Sequence, residues 1–183
     1  LAARGIGNLL SFCLVVQVTR YNAKFCLILG LVCQAIAGAA MAQLDVNVGS
    51  FDVFWTNIVH GFGFGMAYTP MSVLAFSTLN ARLMVDGSAL FNLMRHFGSV
   101  LFISICFVVI TRGTAQGYTG LRDWITPFNK LFSMPHLSGD WSVSTLGGLS
   151  ALSSEIIRQA SMVGYINAFY LFALTAAISV PLT

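Results

Sequence analysis

"FCLILGLVCQAIAGAAMAQ", Phe25 to Gln43, carries no charged side chain. Its length is close to the roughly 20 apolar residues that an α-helix needs to cross the hydrocarbon core of a bilayer. The rest of the chain supports that reading. Of 183 residues, 57% are hydrophobic and 8% charged, against about 25% charged in an ordinary soluble domain, and the mean hydropathy is +0.82. A soluble core this apolar would have too little polar surface left to cover itself. The chain therefore reads as an all-α, polytopic integral membrane helical bundle.

Working outward from Phe25, five spans are expected, at about residues 1–18, 25–43, 53–78, 89–110 and 161–182. "TRYNAK", Thr19 to Lys24, closes the first with two positive charges. "LDVNVGSFD" links the second to the third, and "LNARLMVDGS" the third to the fourth. Between the fourth and fifth spans, residues 111–160 contain Pro127, Pro135, several glycines and mixed charges, and read as an extramembrane loop. At its end, Leu146, Leu149, Leu152, Ile156 and Ile157 are spaced by three or four, the helical period. An amphipathic helix leading into the last span is expected there. The opening "LAARGIGNLL" has no signal-peptide pattern and reads as the interior of a helix, as in a fragment.

Orientation follows from the basic residues near span ends. Arg20 and Lys24 flank one link and Arg82 lies in another, while the link between them holds Asp45 and Asp52 and no basic residue. The basic links should be cytoplasmic, which puts the 111–160 loop outside and the C-terminus inside. Net charge, +3, adds little to this. Cys13, Cys26, Cys33 and Cys106 all fall in apolar runs and read as small packing residues rather than as a disulfide framework.

The third span contains "VHGFGFGMAYTP", Val59 to Pro70. A dinucleotide fingerprint fails here, because Met66 stands where the third glycine belongs. Gly61 and Gly65 are four apart and stack on one helical face, and Gly63 and Ala67 do the same on another. Small residues in that pattern let membrane helices approach closely. Pro70 removes one backbone donor and leaves the Met66 carbonyl free, which is tolerated if a neighbour or water satisfies it. From the glycines alone, a moving transporter helix and a tightly packed static one stay equally open.

A charge at mid-bilayer costs at least about 2.5 kcal/mol, so polar residues within spans are the informative ones. The ionisable ones are Arg4, Arg95, His60 and His96; the neutral ones include Asn8, Asn57, Asn92, Gln34 and Tyr68. Asn92 and Arg95 share a helical face. Counted from residue 89, Arg95 lies about two turns from the cytoplasmic end, so three roles stay open: a snorkelling anchor, a pair to another helix, or a substrate contact. His60 and Asn57 share a face with Phe64, and a hydrogen-bonded packing histidine is favoured over a proton carrier. Gln34, between Gly30 and Gly38, is expected to hydrogen-bond to another helix. No second ligand stands at metal spacing from either histidine, so no metal site is expected.

Five blocks together resemble one family: "ARGIGNLLSF…VTRYNAK", "LILGLVCQAIAG", "HGFGFGMAYTPMSVLAFSTL", "GSALFNLMRHFGSVLFISI" and "EIIRQASMVGYINAFYLFAL". In order and spacing they look like the C-terminal segments of the EmrB/QacA-type drug:proton antiporters, the fourteen-helix branch of the major facilitator superfamily. The resemblance covers nearly the whole chain. It implies a partial C-terminal transmembrane domain of a multi-pass exporter in the bacterial inner membrane, moving hydrophobic or amphipathic compounds in exchange for protons. It further implies as partners membrane lipid, the transporter's N-terminal helices and a periplasmic adaptor protein, with no cofactor and no nucleic acid. The family's cytoplasmic motif G-x-L-x-D-R-x-G-R is kept at Arg20, with a basic residue at Lys24. Thr19 stands in place of the acid, so an acid-based gating clamp does not carry over.

On that reading Asn57, His60, Tyr68 and Asn92 are the candidate polar positions of a substrate cavity. Gly61, Gly63, Gly65, Pro70, Arg95 and Arg20 are the candidate packing or gating positions. Two alternatives stay beside it: another major-facilitator transporter, for a sugar, siderophore or amino acid, and a non-transporting membrane scaffold. An enzyme is not expected, because no nucleophile has a base at usable spacing and no acids are paired.

Overall fold

The computed structural model describes residues 2–125 and 145–183. Among them the secondary structure is helical: α1 (Ala2–Tyr21), α2 (Ala23–Ala42), α3 (Ser50–Phe76), α4 (Met84–Asp123) and α5 (Leu146–Ser179), with short 3₁₀ turns at Ala81–Leu83 and Val180–Leu182. Four are long and apolar enough to cross a membrane: α1, α2, α4, and α5 with its terminal turn. The chain is thus an all-α polytopic membrane bundle. The remaining helix, α3, carries Gly61, Gly63, Gly65 and Pro70.

Two compact units divide the chain, one formed by residues 1–106 and 169–183, the other by residues 107–168. The first is built around α3, which packs against both α1 and α2. Where α1 meets α3, residue numbers rise together, Arg4 facing Gly61 and Ser11 facing Gly65, so these helices run parallel. Against α2 the order reverses, Gly30 meeting Ala67 and Gln34 meeting His60, so α2 and α3 run antiparallel. Val15, Cys26 and Met66, one from each helix, form the buried core, with Val18, Leu29 and Phe62 around it.

The links are short because side chains cap the helix ends. Asn22 separates α1 from α2, and its Oδ1 accepts from the Phe25 N–H at 3.1 Å, an N-cap that satisfies one of the free donors of the first turn. Arg20 lies exposed in the last turn of α1, where a cation suits the negative end of the helix dipole. Between α2 and α3, the Asn47 N–H donates to Asp45 Oδ1 at 3.0 Å and turns the chain.

In the second unit the last third of α4 lies against the middle of α5. A methyl on Gly113 would sit 3.0 Å from the Gly164 Cα, and one on Gly117 would sit 3.3 Å from the Ala160 Cα. Thr145 Oγ1 accepts from the Gly148 N–H at 3.1 Å and caps the α5 N-terminus. Two to three turns further on, Arg158 makes a two-pronged pair with Glu155, both bonds 2.8 Å.

The structure departs from the sequence reading at both ends of the fourth span. Helix α5 begins at Leu146, where a helix leading into the last span was expected, whereas α4 continues to Asp123, into the expected 111–160 loop. The polar residues there, Thr111, Thr114 and Thr119 among them, interrupt hydropathy but not helix; Thr111 and Thr119 bond back to carbonyls four residues earlier. At its other end α4 starts at Met84 rather than near residue 89, with Asp86 in the first turn favoured by the helix dipole.

Candidate functional site

The site is organised by the close approach that the α3 glycines permit. A Cβ on Gly61 would run into the Arg4 carbonyl, and one on Gly65 into Ser11 Oγ, so this face lies directly against the α1 backbone. Gly7 of α1 reciprocates, its missing methyl leaving room for the Ile58 carbonyl. On the opposite face, Gly63 lies against α2: a methyl there would sit 2.9 Å from the Gly30 carbonyl oxygen and 3.1 Å from the Gln34 N. With Gly61, Gly63, Gly65 and Pro70 all buried, α3 presents the rest of its circumference to whatever lies beyond α1 and α2.

That remaining face carries Phe64 and Tyr68, stacked with ring centroids 5.9 Å apart. The Arg4 guanidinium lies 5.7 Å from the Phe64 ring centroid, and the Arg95 guanidinium 5.4 Å from that of Tyr68. Both fall within the roughly 6 Å at which a cation is attracted to an aromatic face. Arg95 also donates to Asn92 Oδ1 at 3.3 Å, and the Asn92 Nδ2 donates to the Ser88 carbonyl at 2.9 Å. Three helices therefore converge on one strip of side chains: Arg4 from α1, Phe64 and Tyr68 from α3, Asn92 and Arg95 from α4.

The depth of this strip follows from helix geometry. At about 1.5 Å per residue, Phe64 lies roughly 21 Å from the Ser50 end of α3 and roughly 18 Å from the Phe76 end. Arg95 lies roughly 16 Å into α4 by the same measure. Helix α4 begins at Met84, but the added turn carries Asp86 and does not set the membrane boundary, so the roles open to Arg95 in the sequence stand. Its guanidinium is turned to the Tyr68 ring.

His60 stands apart from that strip. Its ring lies 5.2 Å from the Phe172 ring of α5, tilted by 40°, and its backbone carbonyl accepts from Gln34 Nε2 at 3.2 Å. Among the described residues, His60 Nδ1, Gln34 Oε1 and Asn8 Oδ1 are buried polar atoms without a hydrogen-bond partner. Asn57 turns inward on its own helix and donates to the Val53 carbonyl at 2.7 Å. Of the four candidate cavity positions, Tyr68 and Asn92 are thus brought together around Arg95, while His60 and Asn57 are not part of that group. Arg20 lies at the end of α1, away from it.

Two residues of the strip were not singled out by the sequence. Arg4 counts there only as one ionisable intramembrane group among several, and Phe64 only as a neighbour of His60. Nothing in the spacing within a helix joins them, since their meeting depends on how α1 packs on α3. Pro70 also acquires a partner from another helix: the Cys26 thiol donates to the Met66 carbonyl at 3.5 Å, the carbonyl that proline leaves without its helical donor.

Two curated proteins align with the chain. It is 23% identical over 116 residues to the colistin resistance protein EmrB of Acinetobacter baumannii, covering 63% of this chain and 23% of that protein. It is 25% identical over 124 residues to the multidrug export protein EmrB of Haemophilus influenzae, covering 67% of this chain and 24% of that protein. The alignments thus span about a quarter of each relative's length. No family model and no solved structure matches the chain. The resemblance to EmrB-type transporters read from the sequence blocks holds in these two alignments, and it is to proteins of membrane transport.

Proposed function

We propose that the chain forms part of a proton-coupled multidrug efflux transporter of the bacterial inner membrane, exporting hydrophobic or amphipathic compounds. The observation that carries this reading is the strip of Arg4, Phe64, Tyr68, Asn92 and Arg95 near the middle of α3, on a face not covered by α1 or α2. Two guanidinium groups at that depth cost too much against lipid tails, whereas a water-filled cavity between two transporter halves accommodates them. Transporters that work by alternating access bind substrate near the midplane at such an interface.

Aromatic faces suit flat, greasy compounds of varied structure, and Arg and Asn supply polar contacts that orient them. The glycine faces of α3 bring α1 and α2 into contact with it, so the strip is held on a tightly packed support. The 111–160 segment lies outside the cytoplasm on this reading, and the bundle works with N-terminal helices, lipid and a periplasmic adaptor.

Cysteine accessibility tests the cavity. Single cysteines at positions 64, 68 and 92 should react with a small water-soluble thiol reagent in membranes, and amphipathic compounds of the kind exported should slow the reaction at all three. In parallel, expression in a strain lacking its main exporters should lower accumulation of a lipophilic dye, provided the partner helices are present. Positions closed to water, together with unchanged dye accumulation, overturn the reading in favour of a non-transporting scaffold.

A further inference from the structure

We infer that His60 and Gln34 form a proton-binding pair that fastens α5 to α2 and α3: a proton taken up at His60 Nδ1 is shared with Gln34 Oε1, and the imidazolium so formed holds the Phe172 ring. The inference rests on the proton-coupled reading above and adds where in this chain a proton binds and which helix it acts on.

The contact between the two residues fixes which way the Gln34 amide points. Its Nε2 lies 3.2 Å from the His60 carbonyl oxygen, and the amide turned over would set two acceptors against each other. Oε1 is then an acceptor with no donor among the described residues, on a side chain only 7% exposed. His60 Nδ1, on the residue that Gln34 already touches, is likewise buried and unpaired. Both atoms are enclosed by this chain's own helices, so neither water nor a further helix reaches them in this arrangement. Unmet polar atoms in a membrane interior are costly. A histidine that only packed would have its ring hydrogen-bonded here.

A proton is the one donor small enough to enter. Neutral imidazole has one N–H and one acceptor nitrogen, whereas imidazolium donates from both. With the neutral N–H at Nε2, Nδ1 and Oε1 are two acceptors without a donor. Uptake of a proton from water at the half-buried ring turns Nδ1 into an N–H, which forms a charge-assisted hydrogen bond to Oε1. Release returns the proton to water, and no other bond breaks. The same charge acts on α5, because the Phe172 ring lies 5.2 Å from the His60 ring, within the roughly 6 Å over which a cation is attracted to an aromatic ring. Phe172 also rests on α2, where a methyl on Gly38 would sit 2.8 Å from its Cδ1.

Other titratable groups around the pair are few. From α1 the Arg4 guanidinium acts on His60 as a like charge, and from α2 the Cys33 thiol lies beside Gly63, about one turn along α3. On α4, Arg95 is turned to Tyr68 and His96 is exposed. Residues 169–183 of the chain carry Tyr170 as their titratable side chain, and it too is exposed. An acceptor on one side and a like charge on the other make a site that both takes up and gives back a proton.

The test follows the ring nitrogens of His60 by nuclear magnetic resonance, using the chain in lipid nanodiscs with His96→Gln and His136→Gln, so that His60 is the remaining one of its three histidines. Over roughly pH 4–9, His60 should titrate reversibly, its Nδ1 passing from an acceptor to a hydrogen-bonded N–H. Gln34→Leu removes the acceptor at similar volume and should weaken proton binding by roughly tenfold, the scale of a lost charge-assisted hydrogen bond. Phe172→Leu should weaken it by roughly threefold through the lost ring face, and Arg4→Gln should strengthen it by removing a like charge. Helical content, read by circular dichroism, separates a changed site from lost folding. A His60 that does not titrate, or that titrates alike in the parent and in folded Gln34→Leu, overturns the pair and leaves the cavity reading standing. Positions 64, 68 and 92 closed to water-soluble reagent, with His60 titrating as described, overturn the cavity reading and leave the pair.

Discussion

Cys26 Sγ donates to the Met66 carbonyl across 3.5 Å of the α2–α3 contact, and Met66 is the residue whose carbonyl Pro70 leaves without a helical donor. Both side chains are buried, and Cys26 Sγ also lies 3.9 Å from Met66 Sδ. A proline inside a membrane helix frees a backbone acceptor that lipid cannot satisfy. Here a thiol from the neighbouring helix reaches it.

A double-mutant cycle should expose that dependence. Cys26→Ala removes the donor and should lower stability by about 1 kcal/mol, the scale of leaving a buried acceptor unpaired. In the Pro70→Ala background residue 70 regains its N–H, the Met66 carbonyl regains an ordinary helical bond, and Cys26→Ala should cost measurably less. The reading is unfolding in mixed micelles with increasing denaturing detergent. Equal costs in both backgrounds would mean the thiol fills space and nothing more.

The glycines on the α1–α3 contact give a second expectation. A methyl on Gly7 would strike the Ile58 carbonyl and one on Gly61 the Arg4 carbonyl, whereas nothing lies within 4 Å of a methyl on Gly98. Gly7→Ala and Gly61→Ala should each destabilise by about 1–3 kcal/mol through overpacking against backbone. Gly98→Ala should be neutral or stabilising by up to about 1 kcal/mol, because glycine is a poor helix former. Folded yield after membrane extraction ranks the three, and tolerance of alanine at Gly61 equal to that at Gly98 would place α1 elsewhere.

Much of this architecture is legible in the sequence because hydropathy and helical period respond to each span by itself. Phe25 to Gln43 declares α2, and the offsets among Gly61, Gly63, Gly65 and Ala67 divide α3 into two small-residue faces. What the sequence hides are relations between spans. Arg4 reaches Phe64, and Cys26 reaches Met66, only through the rotation of one helix against another, and no spacing within a helix encodes that. The C-terminal end of α4 was hidden for a different reason. Hydropathy measures preference for lipid, and Thr111 to Asp123 loses that preference while staying helical.

Topology is open to direct measurement. The basic links at Arg20, Lys24 and Arg82, set against the acidic link at Asp45 and Asp52, put the start of α5 outside the cytoplasm. With Cys13, Cys33 and Cys106 replaced and the buried Cys26 retained, Ser154→Cys should react with an impermeant thiol reagent in intact cells, since Ser154 is exposed. Reaction only after lysis would invert the orientation.

The contact between the last third of α4 and the middle of α5 yields the sharpest geometric expectation. Three small residues make it possible: Gly113 and Gly117 on α4, and Gly164 on α5, with Ala160 fully buried between the helices. A Cβ added to Gly117 would sit 3.5 Å from the Ala160 Cβ, at the short end of the roughly 3.5–4.5 Å separation that a disulfide spans. Gly117→Cys with Ala160→Cys should therefore cross-link under mild oxidation in the background lacking Cys13, Cys33 and Cys106. The helices run antiparallel here, because Gly113 meets Gly164 while Gly117 meets Ala160, so shifting the second cysteine to Gly164 should break the register and lower the yield. Adding Gly164→Leu to the cross-linking pair should also abolish the bond, because a leucine would press on the Ile110 carbonyl and Thr114 and hold the helices apart. The read-out is reducing against non-reducing mobility after cleavage by a site-specific protease at a site inserted among residues 126–144, where a surviving link keeps the two fragments together. Equal cross-linking of both cysteine pairs would show that the two helices slide on each other, and the small-residue contact would then not fix their register.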